Sequence, residues 1–285
     1  MPLIPTNRRK FLRLAAGAGI AALGVDSLLV APNRPRIVRK DILLRRWPEP
    51  LNGFRIALLT DFHWDPYFSI HPIRAAVSMV NAEAPDLVAL TGDFATLPTF
   101  GPHAKGAAAA EPCAEMLKAI KAPHGVWAVL GNHDTFTNPD RVTSALRGQG
   151  ISVLINQSIP IERDGARFWL AGIDDVLGKT ADLDQTMHDI PPDEATVLMA
   201  HEPDYADHVA RHPIDLQLSG HSHGGQIRLP FLPPIYLPQL GRKYVWGLYR
   251  VRDLTLYTNP GLGTIEVPAR LNCPPEVTLL TIRRG

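Results

Sequence analysis

Five short polar motifs constrain this chain more than any other feature, because each follows an apolar run of strand length. The runs Arg55–Thr60, Asp86–Thr91, Val126–Leu130, Ala195–Ala200 and Ile214–Ser219 lead into Asp61, Gly92-Asp93, Gly131-Asn132-His133-Asp134, His201 and Gly220-His221-Ser222-His223. In α/β sheets, ligands gather outside the carboxyl ends of the strands. Five separate segments therefore deliver polar side chains to one edge of one sheet. Chance accounts for one or two such coincidences, hardly for five.

The remaining pattern fits that frame. Ile73–Glu83, Cys113–Ile120 and Asp140–Gln149 have helical spacing, and Phe168–Ile173, Leu254–Thr258 and Val277–Ile282 are further strand candidates. Strands alternating with helices predict a layered α/β fold. The Ala-rich stretch Gly101–Pro112 is expected to be a mobile loop. The length of 285 residues allows one or two domains, and no internal repeat divides it. A net charge of +1, without a clustered basic face, argues against nucleic acid as a partner. The two cysteines, Cys113 and Cys273, form no disulfide framework and no thiolate zinc site; two buried free thiols are expected.

The motifs have a common chemistry. In Asp61-Phe62-His63, residues two apart in an extended segment point the same way, so a carboxylate and an imidazole can grip one cation. Gly92 permits a sharp turn, and the two oxygens of Asp93 can bridge two cations. Asn132 offers a neutral oxygen ligand with His133 beside it. His221 and His223 sit two apart among glycines that allow close backbone approach. Each motif alone is weak; Asp-x-His and Gly-Asp recur by accident. Asp174 and Asp175 follow a strand and are expected to cap a loop. His71, His103, His124, His188, His208 and His212 lack ligand spacing.

In this order, D-x-H, G-D, G-N-H-D, H and G-H-x-H, the motifs resemble those of the calcineurin-like metallophosphoesterases, from about Phe54 to Ile282. The resemblance implies a four-layer α/β/β/α sandwich with its metal site at the C-terminal edge of the strands. It implies one divalent cation held by Asp61, His63, Asp93 and His223. A second is held by Asp93, Asn132, His201 and His221, with Asp93 bridging. A thiolate-free N/O ligand set suits manganese, iron, zinc or cobalt. Asn132 and His133 would face the substrate, with His133 as the catalytic residue that steadies phosphoryl oxygens and protonates the leaving alkoxide. The implied reaction is in-line attack of a metal-bridging hydroxide on a phosphodiester or pyrophosphate.

Many relatives carry an acidic residue, sometimes followed by arginine, three positions after the G-D pair. Here Thr96 and Leu97 stand there. Asp134 is the candidate substitute for orienting His133. The missing arginine weakens the case for phosphoproteins and for monoesters. A phosphomonoesterase and a catalytically silent metal-binding envelope protein are the alternatives.

Residues 1–31 read as an export segment. Arg8 and Arg9 with Lys10, Phe11 and Leu12 resemble a twin-arginine signal, and Leu14–Ala31 is apolar. The resemblance implies use of the twin-arginine export machinery and a place in the periplasm or at the outer face of the cytoplasmic membrane. No clear cleavage site precedes Pro32, so both a cleaved signal and a retained anchor remain open. Residues 32–50 are expected to be a Pro- and Arg-rich linker with an edge strand, and 51–285 the metallophosphoesterase domain. Phe231–Leu240 is apolar and proline-rich, flanked by Arg228, Arg242 and Lys243. It reads either as a packed loop or as a lip touching lipid. The substrate is accordingly expected to be lipid-linked or nucleotide-linked, with peripheral or anchored membrane contact.

Overall fold

The computed structural model describes residues 8–98 and 102–285. Asn7, at the head of the export motif, and Gly101, at the head of the Ala-rich stretch, lie outside the described residues.

Two six-stranded sheets face each other. The first contains β1 (Arg36–Leu44), β2 (Phe54–Leu59), β3 (Leu87–Leu90), β4 (Val126–Ala128), β5 (Ser152–Val153) and β12 (Glu276–Arg284), in the order β1-β12-β2-β3-β4-β5. The second contains β6 (Gln157–Arg163), β7 (Ala166–Gly172), β8 (Thr196–Met199), β9 (Leu216–Ser219), β10 (Gly247–Val251) and β11 (Leu254–Thr258), in the order β10-β11-β9-β8-β7-β6. Strands β2 to β5 run parallel, as do β7, β8, β9 and β11. Parallel strands covered on both faces need apolar side chains on both, which is why β2, β3 and β8 are continuous apolar runs.

Alternation sorts those side chains into layers. Ile56 and Leu58 of β2, Leu87 and Ala89 of β3, and Val197 and Met199 of β8 enter the core between the sheets. Ala57, Leu59, Val88 and Leu90 face the opposite way, toward α2 (Ile70–Glu83), α3 (Ala110–Leu117) and α5 (Pro139–Gly148). Leu198 and Ala171 face a third core with Leu183 of α6 (Leu183–Met187) and Val209 of α7 (Ala206–Val209). The result is the expected α/β/β/α sandwich.

The edge strand expected within 32–50 is β1, paired in parallel with β12. Ile42, Leu44 and Trp47 are buried, and Trp47 packs 4.7 Å from Phe168 between the sheets. The Ala-rich stretch differs from expectation. His103–Ala109 forms 3-10 turns that run directly into α3, because a run of alanines costs little to wind. Cys113 and Cys273 are buried and unbridged.

Candidate metal centre

The motifs come from two sheets rather than the one expected. Asp61, Asp93 and Asn132 follow strands of the first and His201 and His221 strands of the second, and the strand registers carry them to one place. Beyond β2 and β3 the chains stay paired: Asp61 N–H donates to Gly92 O (3.0 Å) and His63 N–H to Asp93 O (2.9 Å). Phe62 and Phe94, the apolar partners inside the two motifs, stack at 5.0 Å in the core beneath them. Gly220 N–H donates to His201 O (3.0 Å), which continues β8 and β9 in the same way. His201 spans the gap between the sheets, with its Nδ1 2.6 Å from Thr91 O.

Two clusters of ligand atoms result, each with members within 4.8 Å of one another: Asp61, His63, Asp93 and His223, and Asp93, His201 and His221. Asp93 belongs to both. Its Oδ2 lies 3.4 Å from His63 Nε2 and 3.2 Å from His201 Nε2. Its Oδ1 is held by the His133 N–H at 2.9 Å. His223 Nε2 lies 3.3 Å from Asp61 Oδ1 and 3.1 Å from His63 Nε2. Asn132 Oδ1 is buried without a hydrogen-bond partner.

The backbone there is strained. Asp61, His63, Asp93, His221 and His223 all have positive φ, from 40° to 68°. Such conformations cost about 1–3 kcal/mol each in a residue other than glycine and persist only where the surroundings impose them. Gly220 is one place where glycine is required. A Cβ there would collide with the carboxylate of Asp61 and the hydroxyl of Thr60.

The ring tautomers follow from the outer contacts. His201 Nδ1 faces a carbonyl, so Nδ1 bears its proton and Nε2 presents a lone pair. His221 Nε2 faces Gln239 O at 2.7 Å, so its Nδ1 presents a lone pair. Those two inward nitrogens are 3.2 Å apart. Ligands bound at about 2.1 Å around one cation stand about 3.0–3.4 Å from each other, and the contacts here fall in that range. The donor set therefore fits divalent cations.

The electrostatics agree. Burial pushes Asp61 up to about 7, helped by the charge of Asp93 and opposed by His201. Burial also works against a charge on Asp93, yet His201, His133 and His63 hold its pKa well below the usual range. Burial lowers His63 to about 3, and burial with His201 lowers His221 to about 3. Burial opposes a charge on His201, but Asp93 and Asp61 outweigh it and raise its pKa well above the ordinary value. Unprotonated His63 and His221 beside carboxylates, with His201 held protonated by them, make a site that draws in positive charge.

Six of the seven metal-ligand candidates from the sequence fall in these two clusters, and Asn132 lines the adjoining cavity with half-buried His133. Asp134 takes a different part from the one expected of it. Its carboxylate accepts the N–H groups of Asp93 (2.8 Å), Ala95 (2.9 Å) and Gly131 (3.1 Å), clamping the Gly92-Asp93 turn onto the Gly131 turn. His133 is oriented instead by the main chain. The Leu97 N–H donates to His133 Nδ1 at 2.8 Å, which leaves Nε2 as the protonated nitrogen. Asp175 caps its loop as expected, accepting the Gly178 N–H at 2.5 Å.

Sequence reasoning missed three supporting residues. Thr96 Oγ1 holds His63 Nδ1 at 3.2 Å. Glu202 is wholly buried beside His201. Arg270, also wholly buried, donates to the carbonyls of Pro260, Gly261, Gly263 and Cys273. Arg270 thereby fixes the turn whose Gly263 N–H holds Asp61 O at 2.7 Å. The Gly261-Leu262-Gly263 string was the one available signal for that turn.

Comparison with known proteins defines the class. The family model for the calcineurin-like phosphoesterases matches residues 54–225, and the chain belongs to that family. It is similar to the metallophosphoesterase YkuE of Bacillus subtilis, with 32% identity over 97% of this chain and 98% of that one. It is also similar to the phosphodiesterase YaeI of Escherichia coli, with 30% identity over 97% of this chain and 99% of that one. Among solved structures, the NAD nucleotidase of Haemophilus influenzae has the same fold. Its TM-score is 0.51 at 16% identity, over 73% of this chain and 45% of that one.

Proposed function

We propose that this chain is a binuclear-metal phosphoesterase that cleaves phosphodiester or pyrophosphate bonds outside the cytoplasm. Asp61, His63, Asp93 and His223 would hold one cation, and Asp93, Asn132, His201 and His221 the other. The observation that carries this reading is the convergence of His201 Nε2, His221 Nδ1 and the Asp93 carboxylate within 4.8 Å of one another, with the outer nitrogen of each ring held by a carbonyl. The orphaned Asn132 Oδ1 supports a ligand role for that residue.

When bound, two divalent cations supply Lewis-acid charge at the phosphoryl group and an acidified water. The ligand set suits manganese, iron, zinc or cobalt. The protein's own groups do the rest. Asp93 is held by the His133 N–H through one oxygen, so the other is aimed at both clusters. His133 lines the cavity beside the centre and presents Nε2–H as a donor to a phosphoryl oxygen. A hydrogen-bond donor already placed there reorganises little during reaction. This tautomer favours charge stabilisation over the proton-donor role implied by resemblance.

A diester or pyrophosphate is preferred because, among the described residues, no lysine or arginine lines that cavity. A monoester dianion would call for more cationic clamping. Export is supported by Arg8 and Arg9 and by Lys10–Asn33, a stretch long and apolar enough to cross a membrane; a signal sequence shares that property. The twin-arginine machinery is the proposed carrier.

The test uses the full chain in detergent, stripped of metal and restored with manganese, on bis-p-nitrophenyl phosphate and on p-nitrophenyl phosphate. Metal-dependent diester turnover, with two ions bound per chain and loss of activity in Asp93→Ala, is expected. Preference for the monoester would overturn the substrate class. Two bound ions without turnover under manganese, iron, zinc or cobalt would leave the silent envelope protein.

A further inference from the structure

The cavity beside His133 measures about 480 Å³, within the usual range for a small-molecule site. Away from the metal cluster its walls are mostly apolar, with Leu177, Ile227, Ile235, Tyr236, Ile265 and Val267 outweighing Gln226, Gln239 and Glu266. One wall belongs to the loop Leu229–Leu240. The outer edge of that loop exposes Phe231 completely, and Leu232, Ile235 and Tyr236 largely; Val267 is exposed across the mouth. Soluble surfaces scatter such side chains singly, and a contiguous patch of them marks an interaction surface.

The chain itself indicates what covers that patch. Helix α1 (Arg8–Val25) leads the stretch Lys10–Asn33, none of whose apolar window is buried against the body. At its foot, Ser27 O accepts the Arg270 N–H at 2.8 Å. Arg270 closes the segment that supplies Ile265 and Val267 to the cavity. That segment is tied in turn to the metal loop, since Gln226 donates to Ile265 O (3.1 Å) and Val267 O (2.9 Å). The helix fit to cross a membrane therefore leaves the body at the rim of the cavity. Arg242 is exposed at the base of the lip, where anionic headgroups would lie, while its neighbour Lys243 is paired with Asp207.

We propose that the mouth of the metal centre is seated on a lipid bilayer. The Leu229–Leu240 lip enters the headgroup layer beside the foot of α1, and the apolar cavity takes the hydrocarbon part of an amphiphilic phosphoester. The substrate half of this statement rests on the phosphoesterase reading above; the seating of the lip does not.

Two measurements on the full chain test it. The first needs no turnover. Both native cysteines are buried, so a nitroxide can be placed selectively at Leu232→Cys, or at Asp164→Cys on the β6–β7 turn at the opposite end of the strands. In vesicles of phosphatidylglycerol and phosphatidylethanolamine, the label at 232 should collide with oxygen in preference to a water-soluble nickel complex. The label at 164 should do the reverse. Equal nickel access at the two positions overturns the seating.

The second compares methyl, butyl and octyl p-nitrophenyl phosphodiesters. Each methylene buried in the cavity should raise kcat/KM about fourfold until the cavity is filled. An enzyme active on the methyl ester but indifferent to chain length would overturn the cavity assignment and leave the phosphoesterase reading standing. If no diester is cleaved, the phosphodiesterase reading falls, and the label at 232 still decides the seating.

Discussion

Nε2 of His201 and Nδ1 of His221 face each other at 3.2 Å, while the other nitrogen of each ring donates to a carbonyl, Thr91 O and Gln239 O respectively. Without metal, the charges of Asp93 and Asp61 keep a proton on His201, and that proton occupies the place a cation would take. Metal removal should still cost stability as well as activity. At a free metal concentration about 100 times Kd, binding contributes about 2.7 kcal/mol. For a chain of 285 residues that is a fall in Tm of about 4–5 °C on chelation. Calorimetry with and without EDTA checks it, and an unchanged Tm would count against the site.

The same centre sets a pH dependence for the metal-free protein. Burial raises Asp61 to about 7, and burial with Asp93 raises Asp134 to about 7. A carboxyl whose folded pKa exceeds its unfolded value stabilises the fold fully below the unfolded pKa, and that contribution is lost as pH rises through the folded one. The raised pKa of His201 acts with the same sign. His63 and His221, lowered to about 3, act oppositely but only below their unfolded value of 6.5. From pH 6.5 to 8 the metal-free protein should thus lose stability while the metal-loaded protein holds it. Urea unfolding across that window measures both; parallel curves would be the contrary result.

Thr96 Oγ1, 3.2 Å from His63 Nδ1, fixes the ring that closes the first cluster. A partner on the far nitrogen of a ligating histidine is typically worth about 10–100-fold in metal affinity or activity. Thr96→Val, nearly isosteric, should weaken metal binding by about that factor with the fold intact, and Thr96→Ser should restore most of it. Calorimetric titration of manganese into the metal-free variants provides the readout. Wild-type affinity in Thr96→Val would remove this role.

Much of this centre was legible because parallel, doubly covered strands advertise themselves as apolar runs, and Asp61, Asp93, Asn132, His201 and His221 all follow one. The edges were less legible. β1 carries Arg36, Arg39 and Lys40 and buries only Ile42 and Leu44 among its nine residues, so the charged stretch pointed to an edge strand without marking its bounds. β6 includes Pro160, which only an edge strand tolerates, and β5 is two residues long. The part of Asp134 was misjudged because adjacency in sequence is not adjacency on a helix. One residue turns the side chain by about 100°, away from His133 and into the Gly92-Asp93 turn. The partner that does hold His133 is the Leu97 amide, and a main-chain group leaves no mark in the identity of the residue.

That amide leads to the sharpest mechanistic test. Because the Leu97 N–H occupies His133 Nδ1 at 2.8 Å, His133 is fixed as a neutral ring with its Nε2–H toward the cavity. Its part is then to donate a hydrogen bond to charge developing on the phosphoryl group, and a neutral amide can imitate that. His133→Ala should lower kcat by about 10²–10³, the loss expected for one donor at a developing oxyanion. His133→Gln should recover at least tenfold of it, with metal content unchanged in both. The comparison is made on a diester with an alkyl leaving group, where protonation of the departing oxygen matters. Were His133→Gln no better than His133→Ala on that ester but equal to wild type with p-nitrophenolate departing, the ring would be the proton source after all. The Leu97 contact would then have to give way during turnover.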